Sequence, residues 1–536
     1  MRVNRREFFR SAAILGVSHP VLQAFTSKQN PFLHGIASGD PLSDSVILWT
    51  RISPLLPGQH AHQKPDNRIH YRWLISRSSN LLDPVATGYG STDSRCDYTV
   101  KVDVKNLQPD TTYYYRFSSM GFESPVGRTK TLPTGQVENI RFAVCSCANY
   151  ASGFFNAYAD IAKRAELDAV LHLGDYLYEY GVDEYDQSSG LGRTPIPSHE
   201  IISLSDYRIR HSQYKTDADL QEVHRQHPFI CIWDDHEFAN DAWLGGADNH
   251  SADEGDWQQR KSAAMQAYFE WMPIRENPED PHRIYRQFKF GDLLDLYMLD
   301  TRMAGREQPT RELERYAQTH GLLGQAQEDW LYPALSQSQK ETTWRLIGQQ
   351  VMMAQLGSDL IPLNFDQWDG YPACRQRFLQ HLHQQQIDNV VVLTGDIHSS
   401  WANELCRNPY ADDDTARPLA VEFITPGITS PGISDPSYAD NLSATVKHLM
   451  PHIKFQDFFH RGYMLVDINR ERVQTDWYHL ADISNPKLKP LYAGSMYCRN
   501  GQAQLQATNT PIMSPIAQAP ALAPRSRFGQ RLTQVA

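Results

Sequence analysis

Cysteine, basic charge and long apolar runs are all scarce in this sequence, and each shortage excludes a class of protein. Seven cysteines among 536 residues are too sparse and too irregular for a disulfide-stabilised scaffold. Lys and Arg number 51 against 62 Asp and Glu, so the net charge of -11 argues against nucleic acid or an anionic membrane as main partner. No stretch is long and apolar enough for a stable membrane anchor. A small anionic substrate is still compatible with this charge, because a buried metal ion reverses the local field.

The length and the overall composition indicate a folded protein of several domains. At about 100–200 residues per domain, a chain of this length predicts two to four domains. Hydrophobic residues make up 41% and charged residues 21%, which is ordinary for a folded soluble protein.

The N-terminus has paired arginines ahead of a modestly apolar stretch. Arg5 and Arg6 precede a segment that runs to Phe25, as in a twin-arginine export signal, although Asn4 replaces the usual Ser or Thr. The alternative is a short basic helix that belongs to the fold. We predict a signal peptide over residues 1–29, export by the twin-arginine translocase, and a periplasmic or secreted protein. This route carries folded proteins and suits enzymes that acquire a metal before export.

Residues 30–135 have the pattern of short strands separated by turns. The predicted strands cover residues 46–49, 69–75, 98–104 and 112–117. The turn and strand at 107–115 resemble the entry into a late strand of a fibronectin type III sandwich. We therefore predict an N-terminal β-sandwich.

Residues 136–500 alternate between strands and helices. A helix is predicted at 154–165, and strands are predicted at 140–144, 169–173, 229–233, 293–299 and 389–393. This alternation predicts a layered α/β core with functional groups at the strand ends. Residues 501–536 are rich in Ala, Pro and Gln without periodicity, which predicts a flexible C-terminal tail.

Asp175 follows a predicted strand and is preceded by Gly174. A carboxylate in this position can approach a metal ion closely. Tyr178, three residues later, can add a phenolate oxygen, which is a ligand that favours ferric iron. The alternative is that Asp175 only caps a helix.

Asp396 and His398 lie two residues apart after another predicted strand. A carboxylate and an imidazole at this spacing suit a pair of adjacent metal ions. The alternative is a turn with a buried, hydrogen-bonded histidine.

A third strand leads into consecutive polar residues, which include Asp235 and His236, and Asn240 follows. Grouping such charges is costly unless cations or hydrogen bonds compensate for them. Asn240 can offer a neutral oxygen to a hard metal or merely cap a turn. An exposed charged loop is the alternative for the whole segment.

Cys145 and Cys147 form a C-x-C pair, which is a weak zinc signal without a second cysteine pair. Free cysteines are often simply buried in the core. The alternative is that one of the two, as a thiolate at the strand end, faces Asp175. Combined in chain order, the four motifs are those that a binuclear metallophosphoesterase needs. One metal ion lowers the pKa of a bridging water and both neutralise phosphate oxygens.

With these motifs in order, the sequence resembles the PhoD-like alkaline phosphatase and phosphodiesterase family of the metallophosphoesterase superfamily. The motifs that carry the resemblance cover residues 32–41, 46–51, 146–150, 172–179, 233–237, 299–302, 368–372 and 394–398. The resemblance implies an α/β fold in which a fibronectin III-like N-terminal domain (30–135) precedes a metallophosphatase domain (136–500), itself a β-sandwich flanked by helices. It also implies an exported hydrolase that acts on small phosphomonoesters, phosphodiesters or both through a metal-activated hydroxide.

The resemblance also implies a cluster of Fe³⁺ and Ca²⁺, binuclear or larger. Its iron ligands fall on Cys147, Asp175, Tyr178 and His398, with Asp175 bridging the metals. Asn240 and Asp396 fall on calcium positions, and Cys145 is a local addition.

Four further residues are expected at the substrate. Asp235 and His236 fall near the phosphate, and His236 is the candidate that protonates the leaving group. Arg302 and Trp368 are expected to line the cleft.

Two other functions are compatible with the same motifs. The first is a phosphodiesterase or phospholipase D-like enzyme that acts on lipid head groups or cell-wall polymers. The second is a non-catalytic exported binding protein whose metal site is vestigial, which the intact ligand set disfavours.

Overall fold

The computed structural model describes residues 30–54, 68–185, 190–358, 361–513 and 519–524. The predicted export signal at 1–29 lies outside these residues. In the part of the chain that is described, no helix has the length and apolar character needed to cross a membrane.

The described residues of 30–135 form eight strands, which are, in chain order, β1 (Ile36–Gly39), β2 (Val46–Arg51), β3 (Ile69–Ser76), β4 (Pro84–Thr92), β5 (Thr99–Val104), β6 (Thr112–Ser119), β7 (Phe122–Glu123) and β8 (Gly127–Lys130). Of these, β2, β3, β5 and β6 match the four predicted strands closely. One sheet has the order β4-β3-β6-β7, with β8 also paired to β6. It packs against β1, β2 and β5 around buried side chains such as Leu48, Ile75 and Tyr115. The N-terminal domain is therefore a β-sandwich, as the sequence predicts.

The rest of the chain adds helices and strands in alternation, followed by antiparallel strands. The helices are α1 (Asn156–Ile161), α2 (Leu204–Tyr214), α3 (Ala218–Gln226), α4 (Trp257–Trp271), α5 (Gln325–Glu341), α6 (Pro372–Gln384) and α7 (Pro436–Leu449). The first eight strands are β9 (Asn139–Cys145), β10 (Ala169–His172), β11 (Pro228–Cys231), β12 (Arg286–Phe290), β13 (Leu294–Met298), β14 (Trp344–Gln349), β15 (Gly357–Ser358) and β16 (Ile361–Pro362). The remaining strands are β17 (Val390–Thr394), β18 (Ser400–Cys406), β19 (Pro418–Ile424), β20 (Ile453–Asp457), β21 (Arg461–Asn469), β22 (Arg472–Leu480), β23 (Leu491–Arg499) and β24 (Gln506–Thr508).

Two large sheets face each other in the core. One has ten strands in the order β24-β23-β22-β21-β9-β10-β11-β1-β2-β5, and the other has seven in the order β12-β13-β14-β17-β19-β18-β20. Side chains of both sheets, among them Leu171, Ile230, Leu346 and Phe423, are buried in one apolar cluster. A second cluster contains residues of α5 and α6 together with residues of the seven-stranded sheet. The core is thus a β-sandwich flanked by helices.

The N-terminal domain shares a sheet with the core. β1 pairs in parallel with β11, and Ser38 lies opposite Pro228 in the register. The sandwich strands β1, β2 and β5 consequently extend the ten-stranded sheet. The predicted domain boundary lies near residue 135 of the chain, but the ten-stranded sheet contains strands from both sides of that boundary.

Helix α1 is shorter than the predicted helix at 154–165. Lys163 and Arg164 donate their backbone N–H groups to Asp160 and Ile161, which lie three residues back, at 3.0 Å each. These bonds close tight turns in place of a further α-helical turn, so the helix ends at Ile161.

The described parts of the C-terminal segment are not the flexible tail that the sequence predicts. β24 pairs with β23, so residues 506–508 belong to the ten-stranded sheet. Further on, the Tyr114 hydroxyl donates to the Ala521 carbonyl at 2.5 Å, and the Ala523 N–H donates to Gln226 Oε1 at 2.8 Å. Backbone hydrogen bonding holds these residues, which composition alone does not reveal.

Candidate metal centre

The polar residues that follow four strands, three in one core sheet and one in the other, meet at one edge of the core. Cys147 follows β9, Asp175 follows β10, Asp235 follows β11, and Asp396 and His398 follow β17. β9, β10 and β11 are parallel neighbours in the ten-stranded sheet, so their carboxyl ends lie at the same side of that sheet, and β17 brings Asp396 and His398 to them from the facing seven-stranded sheet.

The backbone at these residues has an uncommon conformation. Cys147, Asp175, Asp396 and His398 have φ angles of 59°, 51°, 62° and 53°. Non-glycine residues rarely adopt positive φ, and such residues cluster at functional sites. The turn after each strand therefore directs the side chain towards the centre at a cost in backbone strain.

Four of the predicted ligands form one group. One ligand atom each of Cys147, Asp175 and His398 lies within 4.8 Å of the others. The Tyr178 hydroxyl donates to Asp175 Oδ2 at 2.9 Å and lies 3.1 Å from His398 Nε2. The structure thus places together a thiol, a carboxylate, a phenol and an imidazole, the four donors assigned to iron by the resemblance.

Neighbouring groups orient this donor set. His398 Nδ1 lies 2.8 Å from the Pro431 carbonyl, which leaves Nε2 directed at the centre. The Ser430 hydroxyl donates to Tyr178 Oη at 2.5 Å. Burial lowers the pKa of His398 to about 3, so this imidazole is neutral and able to bind a metal. Ser430 lies in a loop after β19 and carries no sequence signal that reasoning on motifs could use.

An acidic group adjoins the first. Carboxylate oxygens of Asp234, Asp235 and Asp396 lie within 4.8 Å of one another. The Arg302 side chain is fully buried among them, with Nε 2.5 Å from Asp234 Oδ1 and Nη2 3.3 Å from Asp396 Oδ1. Arg302 Nη1 also donates to Asp366 Oδ1 at 2.8 Å. Arg302, which we expected to line the cleft, holds these carboxylates in place. Asp234 and Asp366 also belong to the site, but the sequence does not predict a role for either of them.

Arg302 alone does not donate a hydrogen bond to every oxygen of these carboxylates. Among the described residues, Asp234 Oδ2 is buried and accepts no hydrogen bond, and Asp235 Oδ1 has only an ion-pair contact of 3.3 Å with Arg302 Nη2. Burial raises the pKa of Asp396 to about 7. Burial alone would also raise the pKa of Asp235, but the charges of Arg302 and His236 outweigh it and bring that pKa to about 2. The unsatisfied oxygen of Asp234 and the raised pKa of Asp396 are what a bound cation relieves, so this donor set fits a hard metal ion.

His236 lies between the two groups. Its Nδ1 is 2.7 Å from Glu179 Oε2, and its ring lies 4.1 Å from the ring of Tyr178. Burial alone would lower the pKa of His236, but Glu179, Asp235 and Asp175 outweigh it and raise the pKa well above its usual range. The structure therefore favours a charged imidazolium here. Glu179, which stands in the same motif as Asp175, was not singled out by the sequence reasoning.

Glu237 connects two of the loops that carry the site. It accepts the backbone N–H groups of Asp175, Tyr176 and Asp234 at 3.0, 2.5 and 2.7 Å. Gly174, which precedes Asp175, has a φ of +104°, and a Cβ added to residue 174 would lie 2.4 Å from Asp234 Cβ. The ends of β10 and β11 can approach this closely because residue 174 is a glycine.

Trp368 does not line the cleft, so that prediction is wrong. Its side chain is fully buried in the cluster shared with α6, where its Nε1 donates to Gln349 Oε1 at 3.2 Å. A large apolar ring gains more from packing than from contact with a charged site. The adjacent Gln367 reaches Asp396 Oδ2 at 3.4 Å instead.

The contacts of Asn240 and Cys145 differ from those of the predicted ligands that form the two groups. The backbone N–H of Asn240 donates to Glu179 Oε1 at 2.7 Å, and no hydrogen bond within the described ranges joins its side-chain amide to Asp235 or Asp396. Its calcium role stays a prediction. Cys145 is buried in the core cluster, which raises the pKa of its thiol, and it is not part of the ligand groups.

Comparison with known proteins decides the family. The family model described as PhoD-like phosphatase matches residues 142–477, which is more than half of the chain. The chain belongs to the PhoD-like phosphatase family. The model for the N-terminal domain of PhoD-like phosphatases matches residues 18–133.

Two relatives of the PhoD-like chain agree with this assignment. Alkaline phosphatase D of Bacillus subtilis (strain 168) is 36% identical over 472 residues, which are 85% of this chain and 79% of that protein. A solved structure titled Structure of PhoD is 34% identical, covers 91% of this chain and 94% of its own, and superposes with a TM-score of 0.82. This PhoD-like protein is therefore a phosphoric ester hydrolase of a metal-dependent type, and its two ligand groups are candidate sites for the metals.

Proposed function

We propose that this PhoD-like phosphatase is an exported enzyme that hydrolyses small phosphate esters, and that metal ions held by its two ligand groups would supply an activated hydroxide for direct attack. One observation carries the proposal: Asp175 belongs to the group of Cys147 and His398, and it also lies within 4.8 Å of Asp235, which is part of the acidic group. A carboxylate shared in this way is what two adjacent metal ions require.

The donor types support two different metals. Cys147, Asp175, Tyr178 and His398 combine a thiol and a phenol with nitrogen and oxygen donors, a set that suits Fe³⁺. Asp235 and Asp396 belong to the acidic group and Asp175 lies within 4.8 Å of Asp235, so these carboxylates supply hard oxygen donors that suit Ca²⁺. Asn240 is predicted to add a neutral oxygen to them. When bound, such ions lower the pKa of a water molecule and neutralise phosphate oxygens.

His236 is placed to give a proton to the leaving group. Glu179 holds Nδ1, so Nε2 is the nitrogen left to face the substrate. The Glu179 carboxylate raises the pKa of this imidazole and thereby favours its protonated form, and Asp235, whose pKa is about 2, is ionised beside it. A buried acid that is oriented by a second side chain meets the requirements of general acid catalysis.

The ester class is tested by comparing two model substrates. The metal-loaded protein should hydrolyse p-nitrophenyl phosphate, and turnover of bis-p-nitrophenyl phosphate decides whether diesters are also substrates. Phosphodiester preference would favour the alternative of activity on lipid head groups or cell-wall polymers. If neither compound is hydrolysed by protein that carries its metals, the proposed function is wrong and a binding protein becomes the better account.

Direct attack can be tested through stereochemistry at phosphorus. A single in-line displacement inverts a chiral phosphate ester, whereas two displacements through a covalent phosphoenzyme retain its configuration. We expect inversion. Retention would rule out direct attack by hydroxide while leaving the phosphatase assignment intact.

Export rests on the paired arginines of the sequence. Replacing Arg5 and Arg6 by lysine should leave active enzyme in the cytoplasm of an expressing cell, because the signal is recognised through the arginine pair. Fractionation of cells that express the two forms measures this. Equal export of both forms would exclude a twin-arginine signal.

A further inference from the structure

A separate group of metal-ligating side chains lies at the junction of the two core sheets. It consists of Asp457, His460 and His479, and one ligand atom of each lies within 4.8 Å of the others. Asp457 ends β20 of the seven-stranded sheet, and His479 is in β22 of the ten-stranded sheet. His460 lies in the connection directly before β21. None of the three belongs to the catalytic metal centre.

The spacing of the three donor atoms suits a tetrahedral ion. Asp457 Oδ2 lies 2.9 Å from His460 Nδ1 and 3.8 Å from His479 Nδ1. Bonds of about 2.0–2.1 Å to a tetrahedral Zn²⁺ ion place neighbouring ligand atoms about 3.3 Å apart. The two observed distances lie on either side of that value, so only small side-chain movements are needed.

The three side chains are held in place by contacts of their own. His479 Nε2 lies 2.9 Å from the Ser400 hydroxyl, which leaves Nδ1 directed at Asp457. Asp457 Oδ1 accepts the backbone N–H groups of Phe459 and His460 at 3.0 and 2.8 Å, so the turn that carries His460 is fixed. The other ring nitrogen of a metal-binding histidine characteristically has such a partner.

The group is accessible and its chemistry is suited to a cation. The His460 side chain is 37% exposed, whereas that of His479 is 7% exposed. Burial lowers the pKa of His479 to about 4, so this ring is neutral and its lone pair is available. The nearby Arg461 opposes a cation electrostatically, but its guanidinium is turned to the carbonyls of Ser430, Phe459 and His460.

We propose that Asp457, His460 and His479 form a structural site for a divalent transition-metal ion such as Zn²⁺, with water completing its coordination. Two imidazoles and a carboxylate are donors that Zn²⁺ accepts. The bound ion links β20 to β22 and thereby joins the edge of one core sheet to the other. The site is independent of the proposed function, since it shares no ligand with the centre at Asp175.

The test counts bound zinc in protein that carries its catalytic metals. Wild type, His460→Gln, His479→Gln and the control His448→Gln, an exposed histidine of α7, are dialysed against the same low concentration of Zn²⁺. Elemental analysis should find one more zinc per chain in wild type and control than in either site variant. Zinc that enters the catalytic centre adds equally to all four proteins and cancels in this comparison.

Thermal unfolding gives a second readout. Zn²⁺ should raise the unfolding temperature of wild type and of His448→Gln but not that of His460→Gln, because an ion that binds only the folded state stabilises it. Should His479→Gln fail to fold, the half-exposed His460→Gln still decides the question. Equal zinc binding by wild type and His460→Gln, or no additional zinc in wild type, would overturn the proposal.

Discussion

The side chains of Cys147, Asp175, Asp396 and His398 stand on residues whose backbone φ is positive. Each such conformation costs about 1–3 kcal/mol, so it persists only where the surroundings enforce it. At Cys147 the backbone N–H donates to the Gly174 carbonyl at 3.1 Å, which ties the turn after β9 to the turn after β10. The residues of the centre thus support one another's strained conformations, and bound metal ions would add to that support.

Replacing His236 by Gln tests its role as the proton donor. We expect kcat to fall by about 10²–10⁴-fold for an alkyl phosphate, whose leaving group needs a proton. The loss should be much smaller for p-nitrophenyl phosphate, whose leaving group departs as a stable anion. Steady-state kinetics with both substrates measure the difference, and equal losses on the two would show that His236 is not the acid.

The site residues that could be predicted from the sequence are those that directly follow a strand. Asp175, Asp396 and His398 each follow an apolar run, and such a run predicts a buried strand whose end carries function. Ser430 and Asp366 could not be found in this way, because they reach the site from loops whose course depends on the packing of distant elements. Trp368 was misplaced for a related reason: its motif is near the site, but its ring packs into the core.

Similar limits apply to secondary structure. Strands β2, β3, β5 and β6 of the N-terminal sandwich have the strand pattern in the sequence and match the predicted ranges within a few residues, whereas β1, β4, β7 and β8 were not predicted. The early end of α1 depends on local turn geometry, and the pairing of β1 with β11 joins segments far apart in the chain. Neither the end of α1 nor this pairing corresponds to a periodic pattern in the sequence, so neither could be predicted from it.

Gly174→Ala tests the close approach of β10 and β11. The new Cβ would lie 2.4 Å from Asp234 Cβ on a backbone with φ of +104°. Overpacking of this kind costs about 1–3 kcal/mol beyond the backbone strain, and it displaces Asp175 as well. We expect a lower unfolding temperature and a strong loss of phosphatase activity.

Gly255→Ala is the matched control, since Gly255 has a similar φ of +96° with no atom within 4 Å of an added Cβ. It should show the backbone effect alone, a small loss of stability with activity retained. If the two variants were equally stable and equally active, the contact with Asp234 would have no importance.

The ten-stranded sheet joins the N-terminal sandwich and the core with the candidate metal centre in one continuous structure. The C-terminal segment adds to this connection. Ala521 accepts a hydrogen bond from Tyr114 of the sandwich, while Ala523 exchanges hydrogen bonds with Gln226 of α3. The segment therefore links the sandwich to the helix that packs beside it.

Truncation after residue 513 tests this link. The loss leaves Tyr114, Arg225 and Gln226 without these partners, and an unsatisfied buried group costs about 1–3 kcal/mol. We expect a lower midpoint of chemical unfolding, with phosphatase activity unchanged at moderate temperature. A chain that ends at residue 524 keeps the contacts and serves as the control, and an equal midpoint for the two truncated chains would contradict this account.

The central claim is that Asp175 would help to hold metal ions on both of its sides and that hydrolysis of phosphate esters depends on it. The most direct measurement is the turnover of p-nitrophenyl phosphate by Asp175→Asn, with circular dichroism to confirm folding and Asp412→Asn, an exposed site, as control. Changes beside a metal ligand typically cost 10–100-fold, so loss of a shared ligand should cost on the order of 10³-fold or more. The account predicts that loss in a folded protein with less bound iron and calcium. Turnover equal to that of Asp412→Asn would contradict it.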